Sequence, residues 1–517
     1  MENRKALLFF TNSEWGQANV ILATIHEFLV RDRYEIHLAS YSPLKKRVQE
    51  LFITHANSYP RPFTVAFTDE ERTLSLEDKV ERPSLTFHTI PGLSVAETCH
   101  RDHIAHTLPH APGFKGAVAS YRRLAEFFIR YTVDEYMETE NYAKQTILTV
   151  KPALVLAEQG CNPGIDACNE LGIPFSILSP NSFKDFEQYL QPRLAILWKY
   201  PALSSAFPYP LPWSLIPINI YFWLRMLFVI VGAALDKKSR LATVTKGRHK
   251  HGLRGPIPIV DAYKKAAAII CPSLPELDFS MGVRPTTTGC GPIVLPVHPV
   301  AELDPELSSW IQVAGKRTIL VNLGTHYSMD LELAIEVARA LLTTLSCFSD
   351  IQILWKIMLR SDQQHEVEAV FGEHVASGRI RMQAWLKPDP VALLETGRIA
   401  VQVHHGGANT YFECCRAGVP QVVLAAWWDT YEYAARVEYL SIGVFANKQA
   451  APRAKTTELE SALKRVVGDG EMRLRAEELA RTCQQHGEGR VVAHDRIVHL
   501  AQLAVPGYYF EKGGVAC

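Results

Sequence analysis

The chain has 517 residues, 47% of them hydrophobic, which is enough for two or three domains with large cores. Lysine plus arginine equals aspartate plus glutamate, 54 each, so no global charge bias favours a nucleic-acid partner. Ten cysteines, scattered singly or as Cys414-Cys415 and without CxxC pairs, read as reduced thiols in the cytoplasm rather than as a secreted disulfide framework.

In chain order, Ala6 to Thr11 reads as a first strand, because the apolar run after the polar N-terminus is too short for a signal-peptide core. Asn12 to Gly16 reads as a loop, Asn19 to Val30 as a helix and Tyr34 to Ala39 as a second strand, so the chain opens as a βαβ unit of a parallel sheet. Leu85 to Ile90 is another strand, Cys99 to Gly113 an irregular region, and Val118 to about Val150 one long helix. Ala153 to Ala157 and Ile173 to Leu178 are buried strands flanking a helix at Ile165 to Leu171, which completes a doubly wound half. Ligands of such a sheet sit beyond the carboxyl ends of its strands, which nominates the loops after Thr11 and Ala157.

Four histidines, at 100, 103, 106 and 110, invite a metal reading. Pro109 and Pro112 make the region loop-like and no cysteine or acid completes a zinc set, so no metal site is expected there. His103 and His106 instead become candidates for the acceptor side of a cleft. Trp213 to Leu235 is the most apolar stretch, and Arg225 near its middle argues against a bilayer span. A core or pocket lid, which brings in Trp213, ranks first. Contact with a membrane surface through 213–254 ranks second, because 236–254 carries seven Lys or Arg and one acid.

Val260 to Ala268 reads as a helix, Ile269 to Cys271 as a short strand, and the Pro-, Gly- and Thr-rich residues beyond as a linker. A second series begins at Thr318 to Asn322, followed by Gly324-Thr325-His326, a helix from Asp330 to about Ser346, and strands at Ile351 to Ile357 and Ile380 to Met382. Ile399 to Val403 is a buried strand that passes His405 and two glycines into a helix from Ala408 to Ala417, stopped by Gly418. Such a turn aims unpaired N–H groups and a positive dipole end at one spot, an arrangement that favours phosphate. Asn409 and Glu413 share one face of that helix by spacing.

From Trp385 through His405, Asn409, Glu413, Gly418-Val-Pro420 and Trp427-Trp428-Asp429-Thr430, the sequence resembles the UDP-glycosyltransferase superfamily, of the family 1 type, including fungal small-molecule glycosyltransferases. The resemblance implies an α/β GT-B fold, in which two Rossmann-like doubly wound domains face each other across a cleft. The expected divisions are an N-terminal acceptor domain over 1–281 with an apolar insertion at about 211–235, a linker over 282–316, a UDP-sugar domain over 317–484, and a helix with tail over 485–517 that returns to the first domain. It further implies donor contacts from Gly324 and Thr325, Trp385 (uracil), His405, Asn409 and Thr410 (diphosphate), Glu413 (ribose) and Asp429 (sugar), with Gly407, Trp428 and Thr430 also in the donor site.

Two departures stand out. Thr430 replaces the family's glutamine, and the family's histidine base is Gln17 here, in Gly16-Gln17-Ala18-Asn19-Val20. An amide cannot take a proton, whereas the nearby carboxylate Glu158 can. Glu158 as base, an acidic acceptor positioned by Gln17, and an inactive site are the three readings, with the first two favoured together. The expected partners are a UDP-sugar, with glucose as the default, and a small hydrophobic, phenolic or polyketide-like acceptor. No cofactor and no metal are expected, and the protein is expected to be a monomer or weak dimer. A membrane-surface sterol or lipid transferase and a non-catalytic UDP-sugar-binding subunit are the alternatives.

Overall fold

A computed structural model describes residues 4–31, 34–54, 64–69, 84–104, 107–324, 327 and 329–503. The first sheet has eight strands: β1 Lys5–Phe10, β2 Tyr34–Tyr41, β3 Val65–Phe67, β4 Leu85–Ile90, β5 Leu154–Ala157, β6 Phe175–Leu178, β7 Ile269–Cys271 and β8 Thr287–Gly289. All pair in parallel, in the order β3-β4-β2-β1-β5-β6-β7-β8. The second sheet has six: β9 Arg317–Asn322, β10 Ile351–Lys356, β11 Ile380–Gln383, β12 Ile399–His404, β13 Gln421–Val423 and β14 Gly443–Phe445, in the parallel order β11-β10-β9-β12-β13-β14. Helices cover both faces, so the central strands carry long buried apolar runs, as in Leu7-Leu8-Phe9-Phe10 of β1.

Strand order reverses beside β1 in the first sheet and beside β9 in the second, and the carboxyl ends at those reversals are where α/β sheets hold ligands. Leu7 registers with both Ile36 and Leu154, and Gln402 with Leu320, so the loops after β1, β5, β9 and β12 emerge side by side.

Several boundaries differ from the sequence reading. The first helix, Trp15–Arg31, begins early and takes Gly16 and Gln17 into its first turn. The long helix is two, Ala117–Phe128 and Val133–Val150, because Thr132 and Glu135 form a reciprocal capping box that starts the second afresh. The stretch read as linker contains β8, whose Thr287 and Thr288 register with Ile269 and Ile270, so the first sheet extends past residue 281. It also holds the short helices Val300–Leu303 and Pro305–Ile311. The final helix Gly489–Leu503 lies on the first domain: Ala493, Ile497 and Ala501 share a core with Leu7 and Phe28, and Arg490 pairs with Glu27 at 2.7 Å.

Candidate functional site

β12 leads into His404-His405-Gly406-Gly407 and the helix Ala408–Ala417. Gly406 has φ +90, and a Cβ there would lie 2.8 Å from the Thr430 carbonyl oxygen, so only glycine fits. His404 is buried, its Nδ1 accepting from the Gly406 N–H (3.2 Å) and its Nε2 facing Gln421 Oε1 (3.0 Å). Burial pushes its pKa down to about 4, which makes it a neutral strut. His405 projects the other way. Its ring lies in a slot between two glycines, where a Cβ on Gly324 would sit 2.8 Å from it and a Cβ on Gly407 2.7 Å. Trp427 covers it at 5.2 Å between ring centroids. The helix behind has no side-chain cap and no acid in its first turn, so its N–H donors and dipole end stay open to an anion beside His405, Asn409 and Thr410.

On the same helix, Asn409 and Glu413 line a small pocket shared with Asn19 and Val20 of the first domain and with Asp389 and Phe412 of the second. Burial, with the charge of Asp389 adding, pushes the Glu413 carboxyl up to about 8. Asn19 Oδ1 is buried there with no hydrogen-bond partner among the described residues. Asn409 Nδ2 reaches the Trp15 carbonyl oxygen at 3.5 Å. Trp385 is 50% exposed. Its ring meets Trp15 edge-on at 5.8 Å, with Lys356 Nζ 4.2 Å from its own centroid and Arg47 4.6 Å from that of Trp15. Arg47 also pairs with Asp389 at 3.5 Å, so this ladder crosses the cleft. Thr325, and His326 after it, lie outside the described residues.

At the start of helix Trp428–Tyr439 two of the expected donor residues are engaged within the protein itself. Trp428 is turned into the first domain, its Nε1 donating to the Ser120 carbonyl (3.4 Å) and its ring against Phe127 (5.5 Å) and His110 (6.0 Å). Thr430 Oγ1 accepts from the N–H groups of Ala426 and Trp427 (3.0 Å each) and donates to the Trp427 carbonyl, so it is consumed in capping its own helix. Asp429 stays partly exposed, its carboxyl raised to about 7 by burial and by the negative charges of Asp185 and Glu432.

The acceptor-side candidates fare differently. His103 is exposed at φ +56, Trp213 is 86% exposed on the outer surface, and His106 lies outside the described residues. Among the described histidines of this region, His110 reaches the interior. Its Nδ1 lies 2.8 Å from the Leu108 carbonyl and its Nε2 3.0 Å from Ser204 Oγ, and burial lowers its pKa to about 4. Both nitrogens are engaged, so it braces the cleft.

Glu158, at the end of β5, is 1% exposed. Its Oε2 accepts from Asn12 Nδ2 (2.7 Å) and its Oε1 from the Gly160 N–H (2.9 Å), while burial pushes the carboxyl up to about 7. Asn12 is in turn held by Arg130 Nη2 at 2.7 Å. Glu14, which sequence reasoning passed over, is buried beside them. Its Oε1 accepts from the Ala96 N–H (2.8 Å) and its Oε2 has no hydrogen-bond partner among the described residues. Gln17, partly exposed, lies one turn on, its N–H donating to the Glu14 carbonyl (2.9 Å). Val95, Cys99 and Ile104, with Leu108 and Phe127 against them, form an apolar cluster next to these polar groups. The available signal was an acid in the loop after the first strand, a place the sheet topology already nominates.

Residues 358–496 match the family model described as erythromycin biosynthesis protein CIII-like, C-terminal domain. Glycosyltransferase sdnJ of Sordaria araneosa is 35% identical over 455 residues, covering 86% of this chain and 84% of that protein. Among solved structures, a UDP-glucosyltransferase from Polygonum tinctorium superposes with TM-score 0.63 at 14% identity, over 96% of this chain and 99% of that one. Medicago truncatula UGT71G1 complexed with UDP-glucose gives TM-score 0.62 at 14% identity, over 96% and 98%.

Proposed function

The chain belongs to the UDP-glycosyltransferase superfamily as a GT-B, UDP-dependent enzyme of the family 1 type, and from that premise we propose that it is an inverting transferase moving glucose to a small hydrophobic, phenolic or polyketide-like acceptor. The observation that carries the donor half is His405, slotted between Gly324 and Gly407 at the mouth of an uncapped helix, one turn from Glu413 in a pocket that the first domain closes. In this reading Trp385 stacks on uracil, Glu413 holds the ribose hydroxyls, and His405 with the first-turn N–H groups of Asn409 and Thr410 holds the diphosphate. Asp429 holds the sugar. Charge growing on departing UDP is met by donors already fixed in place, which lowers the barrier without a divalent cation.

On the acceptor side, Glu158 takes the proton of the attacking hydroxyl, directly or through water, while Gln17 positions the nucleophile. A carboxyl raised to about 7 is near the ideal basicity for proton transfer at neutral pH. Attack from the face opposite UDP inverts the anomeric carbon. The apolar cluster of Val95, Cys99 and Ile104 favours a hydrophobic acceptor. So do the erythromycin-biosynthesis family match and the Polygonum enzyme, which is described as glucosylating indoxyl.

The test combines UDP titration calorimetry with a phenol and polyketide panel supplied with UDP-glucose, read by mass spectrometry, with NMR of the product anomer. Absence of any UDP affinity overturns the donor assignment; affinity without product on any acceptor overturns the acceptor assignment.

A further inference from the structure

The helix Ile216–Leu235 is apolar on two opposite sides, and the protein uses one of them. On the inner side Asn219 Nδ2 donates to the Leu197 and Tyr200 carbonyls (2.9 Å each), its Oδ1 accepts from the Ala202 N–H (2.7 Å), and Phe222 packs against Phe114 and Phe207. The outer side carries Tyr221, Leu224, Phe228, Val231 and Leu235, spaced to form a single stripe, and all are exposed, Phe228 by 66%. Only 17% of the helix's most apolar stretch is buried. A stripe of this length on a protein's exterior is a contact face.

The charge on the segment just past the helix indicates the partner. In 236–254 Arg240 is spent on Asp102 and Arg248 on Asp166, whereas Lys237, Lys238, Lys246, Lys250 and Arg254 are exposed and Asp236 is the one acid. We propose that this face seats on an anionic lipid bilayer surface, with the helix lying in the headgroup plane and the lysines on phosphate-bearing lipids. A span is ruled out by the fold: the inner side of the helix is bonded to residues 197–202, and the next helix, Arg240–Lys250, returns to the same domain through Arg248 and Asp166. A second copy of the chain fits less well, because a two-fold contact through this face would bring the two lysine clusters toward each other. The inner neighbour, helix Ala117–Phe128, supplies the Ser120 carbonyl that holds Trp428, so the lipid-facing side is one helix removed from the cleft.

The test uses the full chain and sedimentation with vesicles, so it needs no turnover. Vesicles of phosphatidylcholine with about 30 mol% phosphatidylserine should pull down the wild type, and about 0.5 M salt or pure phosphatidylcholine should weaken binding at least about tenfold. The triple variant Leu224→Ser, Phe228→Ser, Val231→Ser should lose vesicle binding about tenfold or more while keeping its melting temperature and UDP affinity. Lys237→Ser with Lys238→Ser should weaken binding to anionic vesicles about thirtyfold and leave binding to neutral ones unchanged. The proposal is overturned if the wild type stays in the supernatant, if the triple variant sediments like it, or if light scattering shows a dimer that the triple variant converts to monomer.

Discussion

Replacing Gly407 by alanine tests the donor site at its tightest point. The backbone there, φ −68 and ψ 143, suits any residue, so the helix keeps its shape and loses at most about 1 kcal/mol from its cap. The new methyl, however, would sit 2.7 Å from the His405 ring, about 0.7 Å inside the 3.4 Å at which ordinary contact begins. Trp427 covers the ring at 5.2 Å between centroids, so it does not yield toward that side. It must therefore swing out of line with the helix mouth. A hydrogen bond to a charged group contributes about 1.5–3 kcal/mol, so its loss should lower kcat/KM about 10- to 150-fold. Calorimetric UDP affinity should fall in parallel, while Tm should move by no more than about 2 °C. A Gly407→Ala enzyme that binds UDP and turns over within twofold of wild type would refute the reasoning, since His405 would then have no place at the diphosphate.

Glu158→Gln should lower kcat by about 10²-fold or more and abolish a rise in kcat/KM with pH centred on about 7. Because the folded carboxyl is raised from 4.5 to about 7, its contribution to stability is full at low pH and is lost as pH rises through 7, so the variant should be more stable at about pH 8, by up to ~3 kcal/mol; an inactive variant with unchanged or lower stability there contradicts this. Trp385→Ala should weaken UDP binding about tenfold with Tm unchanged, the side chain being half exposed, and unchanged affinity in calorimetry would remove Trp385 from the base site. Asp278→Asn should destabilise the protein by about 3–5 kcal/mol, because Arg436, buried and bonded to Asp278 (3.0 Å) and Ser182 (3.0 Å) across the domain boundary, loses its counter-charge; an unmoved urea midpoint would show the pair to be inert. Turnover should survive EDTA, since the proposed mechanism meets the leaving group's charge with N–H donors and His405; loss of activity restored by Mg²⁺ would contradict that.

The features readable from the sequence were local in the chain. The strand, two glycines and helix around His405 occupy twenty consecutive residues, and each carries its conformational preference on its face. The slot that fixes His405 was not readable, because Gly324 arrives from β9, roughly eighty residues earlier, and only the pairing of β9 with β12 brings the two together. Trp428 and Thr430 fit a donor motif by spacing, yet Thr430's hydroxyl is taken by its own helix start and Trp428's indole by Ser120 of the other domain. The break between the helices Ala117–Phe128 and Val133–Val150 was written in Thr132 and Glu135, but the apolar period runs through it and masked the cap.

The same distinction governs the acceptor side, where the resemblance led the eye to Gln17. An amide in place of a histidine suggests loss of function when the residue is considered alone. In the folded chain the polar groups at the ends of β1 and β5 form one cluster: Glu158 and Glu14 are buried with the Arg130 guanidinium within electrostatic reach, and Asn12 ties Arg130 to Glu158. Burial penalises charge in this cluster, and the penalty appears at Glu158, whose carboxyl is pushed up to about 7 by burial, with Glu14 adding and Arg130 opposing. A buried acid driven into the neutral range beside an apolar cluster is the property a general base requires. In the proposed mechanism the histidine's role passes to residues drawn from three separate stretches of the chain, which a comparison of single positions does not reveal.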